Sequence, residues 1–175
     1  MEDDQGSDSS SRRQHRAAEG RHIDNQVIVR TTLKGRRLYL HRLEQLARGM
    51  LADHGVSGAE LSILIAGDHM LRRLNRQYRD IAGPTDVLAF PQDAPYGPAA
   101  GVKLLGDVVV SADRAAVQAR AAGRPVRDEL MLLVAHGVLH LLGYDHQKPD
   151  DEAKMRAAEQ AALDSAFSRG KERGT

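Results

Sequence analysis

Between residues 22 and 167 the chain alternates short apolar runs with longer segments in which apolar residues recur every three to four positions. The short runs predict strands, because they are rich in Val, Ile and Leu and are bounded by glycine, proline or polar residues. The strands are predicted at residues 27–29, 61–65, 86–90 and 107–110.

The longer segments predict five helices. Asp68 and Ser111 are interpreted as capping residues of the second and third helices, since short polar side chains accept hydrogen bonds from free N–H groups there. The helices are predicted at residues 38–54, from 68 to about 79, from 111 to 123, from 125 to the glycine at 143, and from about 151 to 167. The fold class is therefore α/β (α+β), a single domain with an approximately four-stranded mixed sheet packed with about five helices.

The two ends of the chain lack this apolar pattern. Residues 1–21 are predicted to be a disordered extension, residues 22–167 the folded domain, and residues 168–175 a flexible tail. The start does not resemble a signal peptide, and the longest apolar run, which includes His136 and His140, is shorter than the ~20 residues that span a bilayer. We expect a cytoplasmic protein without a membrane partner.

Composition narrows the chemistry that this domain can perform. The 175 residues contain no cysteine, which excludes disulfides and thiolate metal sites and leaves His, Asp and Glu as the expected ligands. The formal net charge is only +1, so the charge of the whole molecule does not argue for a nucleic-acid partner.

Three histidines near the end of the fourth helix form the central candidate site. His136 and His140 are four residues apart and so lie on one helix face. Gly143 can end the helix in a left-handed conformation and return the chain, so that His146 approaches the same position. Three nitrogen ligands with one open position are typical of catalytic zinc, which generates hydroxide near neutral pH. We therefore predict one Zn²⁺ per chain, although nickel and other divalent ions suit the same ligands.

Two other interpretations of the histidines are a structural role in the core and a peptidase site. A lone histidine in an apolar helix is usually a satisfied core residue, but two uncompensated imidazoles here would cost several kcal/mol. The spacing equals that of the HExxHxxGxxH metzincin peptidases, whose general base is the Glu after the first His. Gly137 occupies that place and cannot transfer a proton, which argues against a peptidase of that type.

Two long motifs then resemble the YbeY family of rRNA maturation factors. Residues 136–146 read HGVLHLLGYDH and residues 74–91 read LNRQYRDIAGPTDVLAFP. LGDVVVS at 105–111 and DDEAKM at 150–155 are also similar to the family, so the resemblance covers nearly the whole domain. Departures are Ala82 and Ala89, where the family often has Asp and Ser, and the N-terminal extension.

The resemblance implies a single-strand-specific, zinc-dependent endoribonuclease with a zincin-like metal helix. Its implied roles are maturation of the 16S rRNA 3′ end and late-stage 70S ribosome quality control. The implied partners are single-stranded rRNA and the ribosome or small-subunit ribosomal proteins, with no DNA expected. The implied metal ligands are His136, His140 and His146, and the implied catalytic residues are Arg79 and His136.

Physical reasoning supports Arg79 only in part. A guanidinium can stabilise the charge that gathers on a phosphate during cleavage, but most surface arginines are simply solvated. The same two interpretations apply to Arg72 and Arg76 as phosphate contacts. Asp145 either orients a ligand or completes the turn. The general base is not assigned.

The remaining acidic and hydroxyl residues near the motifs are given structural roles. Thr85 and Asp86 are expected to make turn and cap hydrogen bonds. Glu129 lies two turns before His136 and is expected to be structural. Two alternatives to the nuclease remain open: a zinc metallopeptidase-like hydrolase, and a ribosome assembly factor whose metal is mainly structural.

Overall fold

The computed structural model describes residues 24–92, 95–96, 102–145 and 148–172. The predicted extension of residues 1–21 lies outside these ranges. So does His146, the third predicted metal ligand.

The strands are β1 (Gln26–Thr31), β2 (Ala59–Ala66), β3 (Val87–Pro91), β4 (Pro95–Tyr96) and β5 (Val102–Ser111). The four longer strands form one mixed sheet, as predicted, and the structure gives their order as β1-β2-β5-β3, with the two-residue β4 also paired to β5. The first three strands in this order are parallel, whereas β3 and β4 run antiparallel to β5.

Five helices accompany the sheet, which confirms the predicted fold class. They are α1 (Leu40–Asp53), α2 (Asp68–Arg79), α3 (Ala112–Ala121), α4 (Val126–Leu141) and α5 (Pro149–Glu172). None of them, within the described ranges, is long and apolar enough to cross a membrane.

The two faces of the sheet pack against different helices. Ile63 and Val108 belong to the larger core, which contains residues of α1, α4 and α5. Leu88 and Val109 point to the other face and pack with Leu71 of α2 in a smaller cluster. The alternation follows from the two-residue period of strands, and it places α4 and α2 on opposite sides of the sheet.

Two predicted details differ in the structure. Asp68 does not cap α2, because Gly67 is the N-cap and makes no side-chain cap hydrogen bond. The Asp68 carboxylate instead accepts hydrogen bonds from the Ser111 hydroxyl at 2.5 Å and from Arg114 Nε at 3.1 Å. Residues 168–172, expected in the flexible tail, continue α5. Ser111 does cap α3, since its Oγ accepts a hydrogen bond from the Arg114 N–H at 3.1 Å.

Candidate metal centre

Helix α4 is held in the middle of the larger core and presents two histidines at its C-terminal end. Ten of its sixteen residues are buried, from Glu129 to Leu141, because the segment is apolar on nearly every face. His136 and His140 are only partly buried, so their rings lie where the helix emerges from the core. The predicted four-residue spacing therefore produces adjacent imidazoles.

The two imidazoles are arranged as ligands of one ion would be. Their Nε2 atoms lie 3.1 Å apart, and their ring planes are inclined by 80°. Two nitrogen ligands at about 2.0–2.1 Å from a tetrahedral zinc ion lie roughly 3.3 Å apart. The spacing of the two Nε2 atoms thus fits a shared metal ion.

The opposite nitrogen of each ring is held by a hydrogen-bond acceptor. His136 Nδ1 lies 2.7 Å from Glu159 Oε1, and His140 Nδ1 lies 3.1 Å from the Tyr144 carbonyl oxygen. Because a carboxylate and a carbonyl only accept, each Nδ1 carries a proton, and in a neutral ring Nε2 then presents its lone pair. Two lone pairs directed at each other suit a cation between them. This is the usual arrangement of outer groups around metal-binding histidines.

The turn after α4 brings the Tyr144 carbonyl back towards His140. Gly143 has a φ of +92°, a conformation that glycine adopts without steric cost. Backbone hydrogen bonds from Gly143 N to His140 O at 3.1 Å and from Tyr144 N to Leu139 O at 3.0 Å close the turn. The predicted reversal of the chain at Gly143 is confirmed.

The third ligand is not placed by the described residues. His146 directly follows the exposed Asp145 and lies outside the described ranges, so its participation stays a prediction. Among the described residues, no group of three or more His, Asp or Glu side chains is close enough to hold a metal ion. The role of Asp145 towards a histidine also stays a prediction.

Gly137 faces the sheet at very close range. A Cβ at this position would lie 2.5 Å from Val108 Cγ1 and 3.1 Å from Val87 Cγ2. A glutamate side chain there would collide with the sheet and would point into the core. Gly137 occupies the position of the peptidases' general base. It therefore carries no acidic group, and the packing against the sheet leaves no room for one.

A cleft of about 350 Å³ borders His136. Its rim includes Asp86, Gln118 and Glu159, and its apolar wall includes Met155 of α5. The Asp86 carboxylate accepts hydrogen bonds from the Val87 N–H at 2.9 Å and from Gln118 Nε2 at 2.8 Å. These bonds, with that from Thr85 Oγ1 to Val87 O at 3.2 Å, are turn bonds and a side-chain contact with α3, so the predicted turn role is supported, whereas neither residue caps a helix.

Glu129 also lines this cleft, but its contacts indicate a structural role. It is only 2% exposed and forms an ion pair with Arg124. The expected structural role of Glu129 is thus supported by its pairing and burial.

Arg79 is not brought together with the histidines. It is exposed at the last position of α2, which packs on the sheet face opposite α4. Arg79 is absent from the set of residues that line the cleft beside His136. Its assignment as a catalytic residue stays a prediction, and direct contact with a metal-bound phosphate gains no support from this position.

Glu159 is the site residue that sequence reasoning missed. Its side chain is 15% exposed and lies on the face of α5 that carries the buried Met155 and Ala162. The sequence did contain a signal for it. Glu159 is spaced at helical intervals between two apolar residues, on a helix that is expected to follow the metal motif.

Comparisons with known proteins agree with the motif resemblance. The family model described as Endoribonuclease YbeY matches residues 24–166. The chain is 42% identical over 140 residues to Endoribonuclease YbeY of Aquifex aeolicus (strain VF5), covering 79% of this chain and 90% of that protein. It is 50% identical over 122 residues to Endoribonuclease YbeY of Anaeromyxobacter dehalogenans (strain 2CP-C), covering 70% of this chain and 61% of that protein.

The fold is similar to that of a solved structure. The solution structure of TM1509 from Thermotoga maritima superimposes with a TM-score of 0.59 at 21% sequence identity. The match covers 85% of this chain and 94% of that chain, and at this identity it establishes similarity of fold.

Proposed function

This chain belongs to the Endoribonuclease YbeY family, and from that premise we propose that it is a metal-dependent endoribonuclease whose metal ion is held by His136, His140 and His146. RNA cleavage follows from the family and from the names of its members. The observation that carries the metal proposal is the pair of Nε2 atoms 3.1 Å apart, with both Nδ1 atoms engaged by acceptors.

The residues around the pair prepare it to bind a divalent cation. Glu159 and the Tyr144 carbonyl fix the ring orientations and the tautomers of His136 and His140, which leaves less conformational entropy to lose when an ion binds. When bound, zinc supplies Lewis acidity and lowers the pKa of water to about 7, so that a nucleophile forms at neutral pH. The cleft beside His136 would provide space for a substrate phosphate near a metal ion held by the histidines.

We further propose zinc as the metal, single-stranded 16S rRNA as the substrate and the cytoplasm as the location. The proposed tasks are maturation of the 16S rRNA 3′ end and late-stage 70S ribosome quality control, with ribosomal proteins as partners. Family membership supports RNA as the substrate, since an endoribonuclease cleaves RNA. The finer assignments are those that the motif resemblance implies.

The two alternatives are less well supported. A peptidase that uses the position after the first histidine as its base is disfavoured, because Gly137 packs directly on Val108. An assembly factor with a purely structural metal requires that the RNA remain uncut. Loss of cleavage in a His140→Ala protein that remains folded and bound to ribosomes would exclude that purely structural role.

The test compares cleavage of a 16S rRNA 3′ fragment with cleavage of unstructured peptides, using protein whose metal content has been determined. Wild type is expected to cut the RNA and leave the peptides intact, and His136→Ala is expected to lose both metal and activity. Arg79→Ala is expected to keep its metal and lose cleavage, whereas Arg120→Ala, a matched exposed arginine, is expected to remain active.

Two results would contradict these assignments. Metal-loaded wild type that leaves the RNA intact would overturn the proposed nuclease. Full cleavage by Arg79→Ala would remove the catalytic assignment of that residue but leave the nuclease in place.

A further inference from the structure

The outer face of the sheet, opposite the histidines, carries an open groove of about 460 Å³. Helix α2 packs over Ala66, Leu88 and Val109 at one end of this face. The groove lies beside that helix and has Ser62 and Asp107 in its floor. A second concavity adjoins it and shares Ser62, Gln92 and Asp107, so the depression continues across the sheet.

Two aromatic rings stand at the edge of this groove. Tyr78 of α2 is 62% exposed, and its ring centroid lies 5.2 Å from that of Phe90 on β3. The chain has only four Tyr and two Phe, so two of its six such rings are paired here. Large aromatic side chains gain stability from burial, which makes an exposed ring beside a groove unusual for a purely structural role. An exposed ring is suited to stacking with another flat group.

Arginine side chains lie in and near this groove. Arg30 lines it from β1. Helix α2, which carries Tyr78, also carries the exposed Arg72, Arg76 and Arg79, of which Arg72 and Arg76 line a separate concavity on the other side of the helix. In the part of the chain that the structure describes, no carboxylate forms an ion pair with any of these four arginines. Two acidic side chains border the depression: Asp107, which accepts a hydrogen bond from Gln92 Nε2 at 2.6 Å, and Glu60 in the adjoining concavity.

We propose that this outer groove binds a single-stranded segment of RNA, with a base stacked on the exposed ring of Tyr78, which packs edge-to-face on Phe90 at an interplanar angle of 66°, and with a backbone phosphate near Arg30. Aromatic platforms flanked by cations are the chemistry of single-strand binding, since every base has a flat face and every nucleotide a charge. A paired base is stacked within its duplex and cannot reach such a ring. The inference rests on the proposed endoribonuclease, for which this groove would hold substrate away from the metal centre.

Binding is measured first, without cleavage. Metal-depleted full-length protein in EDTA is titrated against a labelled oligouridylate of about 12 nucleotides, within the usual range of single-strand sites. Tyr78→Leu is expected to bind about 5- to 100-fold more weakly, the range for loss of one stacked base. Tyr78→Phe is expected to bind as wild type, as is Val117→Ala, a control at an exposed apolar side chain on α3.

Charge is tested by the salt dependence of the same affinity. Each lost phosphate contact is expected to reduce the slope of log K against log salt by about 0.7. Arg30→Gln should therefore give a shallower slope than wild type. Arg120→Gln removes the same charge at an exposed position on α3 and should leave the slope unchanged.

Three results would overturn the inference. The first is wild-type affinity in Tyr78→Leu. The second is equal weakening of Tyr78→Leu towards the oligouridylate and towards an abasic oligomer, since an abasic chain cannot stack. The third is that Tyr78→Leu keeps its RNA affinity but loses binding to ribosomal proteins, which would make the groove a protein interface. A thermal melt of each variant establishes that it is folded.

Cleavage by metal-loaded protein separates this inference from the proposed function. If both hold, Tyr78→Leu raises KM for a long RNA rather than lowering kcat. Cleavage with an unchanged KM in Tyr78→Leu would refute the groove and leave the nuclease standing. Stacking-dependent binding without any cleavage by wild type would refute the nuclease and leave the groove standing.

Discussion

The close contact between α4 and the sheet at Gly137 leads to a quantitative prediction. The Cβ of Gly137→Ala would lie 2.5 Å from Val108 Cγ1, whereas carbon atoms in favourable contact are about 3.5–4.0 Å apart. Either the helix or the strand must move by about 1 Å, and such overpacking costs about 1–3 kcal/mol. The better helix propensity of alanine offsets about 1 kcal/mol of this cost. We expect Gly137→Ala to lower the free energy of unfolding by up to about 2 kcal/mol.

A second substitution isolates the cause. In a Val108→Ala background the two Val108 methyl groups, at 2.5 and 3.3 Å from the new Cβ, are gone, and Val87 Cγ2 remains at 3.1 Å. There Gly137→Ala should raise the free energy of unfolding by up to about 1 kcal/mol, the helix-propensity term less the strain that remains at Val87. The effect of the same substitution thus differs by about 1–3 kcal/mol between the two backgrounds.

Urea unfolding of the four metal-depleted proteins measures this difference directly. Metal depletion matters, because Gly137 adjoins a predicted ligand and metal binding adds to stability. Equal effects of Gly137→Ala in the two backgrounds, within the 0.3–0.5 kcal/mol expected for independent sites, would refute the packing argument.

Three further predictions follow from particular contacts. Glu159→Gln should weaken zinc affinity in a competition titration about 10- to 100-fold, since outer partners of metal-binding histidines typically contribute that much. Ser111→Ala removes the cap of α3 and a hydrogen bond to Asp68, and should cost about 1–2 kcal/mol and lower the melting temperature by roughly 2–8 °C. The Asp68 N–H and Arg36 hold the pKa of Asp113 below its usual 3.8. The folded pKa is thus below the unfolded one, so wild type should exceed Asp113→Asn in stability above pH 3.8 and lose that advantage as the pH falls below it.

Each of these three predictions has its own control or contradicting result. Glu152→Gln, an exposed acid on the same helix, should keep wild-type zinc affinity, and unchanged affinity in Glu159→Gln would show that Glu159 does not hold the ligand. An unaltered melting temperature in Ser111→Ala would contradict the capping role. A stability difference between wild type and Asp113→Asn that persists unchanged well below pH 3.8 would mean that ionisation of Asp113 is not its source.

The main elements of the fold were predictable because each follows from a local pattern. Strand and helix positions agree with the apolar periodicity, and the ends of α3 and α4 agree with their cap and glycine signals. The pairing of the strands joins segments that are distant in sequence, so no local pattern predicted which strands are neighbours. The length of β5 depends on its three strand partners and was underestimated for that reason.

The errors arose where tertiary contacts override local preference. Asp68 is a good capping residue by type, but Ser111 and Arg114 hold its carboxylate, and Asp113 of α3 accepts the Asp68 N–H at 2.9 Å instead. The end of α5 looked polar and frayed, yet Arg169 reaches Asp53 of α1 at 3.4 Å. Contacts between residues so distant in sequence cannot be predicted from the local pattern of apolar and polar residues.

The candidate site shows the same division. The closeness of His136 and His140 follows from helical geometry alone, so it was predictable. The contact of Glu159 with His136 joins two helices and depends on how they pack. The location of Arg79 on the other sheet face likewise depends on the topology, which places α2 and α4 on opposite sides.

The metal content of purified protein tests the central claim most directly. Zinc is added to metal-depleted wild type, His136→Ala, His140→Ala, His146→Ala and His69→Ala, unbound ions are removed by dialysis, and bound metal is measured per chain. The account predicts one ion per chain in wild type and in His69→Ala, whose histidine lies on α2, and loss of that ion in the other three variants. Full metal content in any one of those three variants would contradict the assigned ligand set.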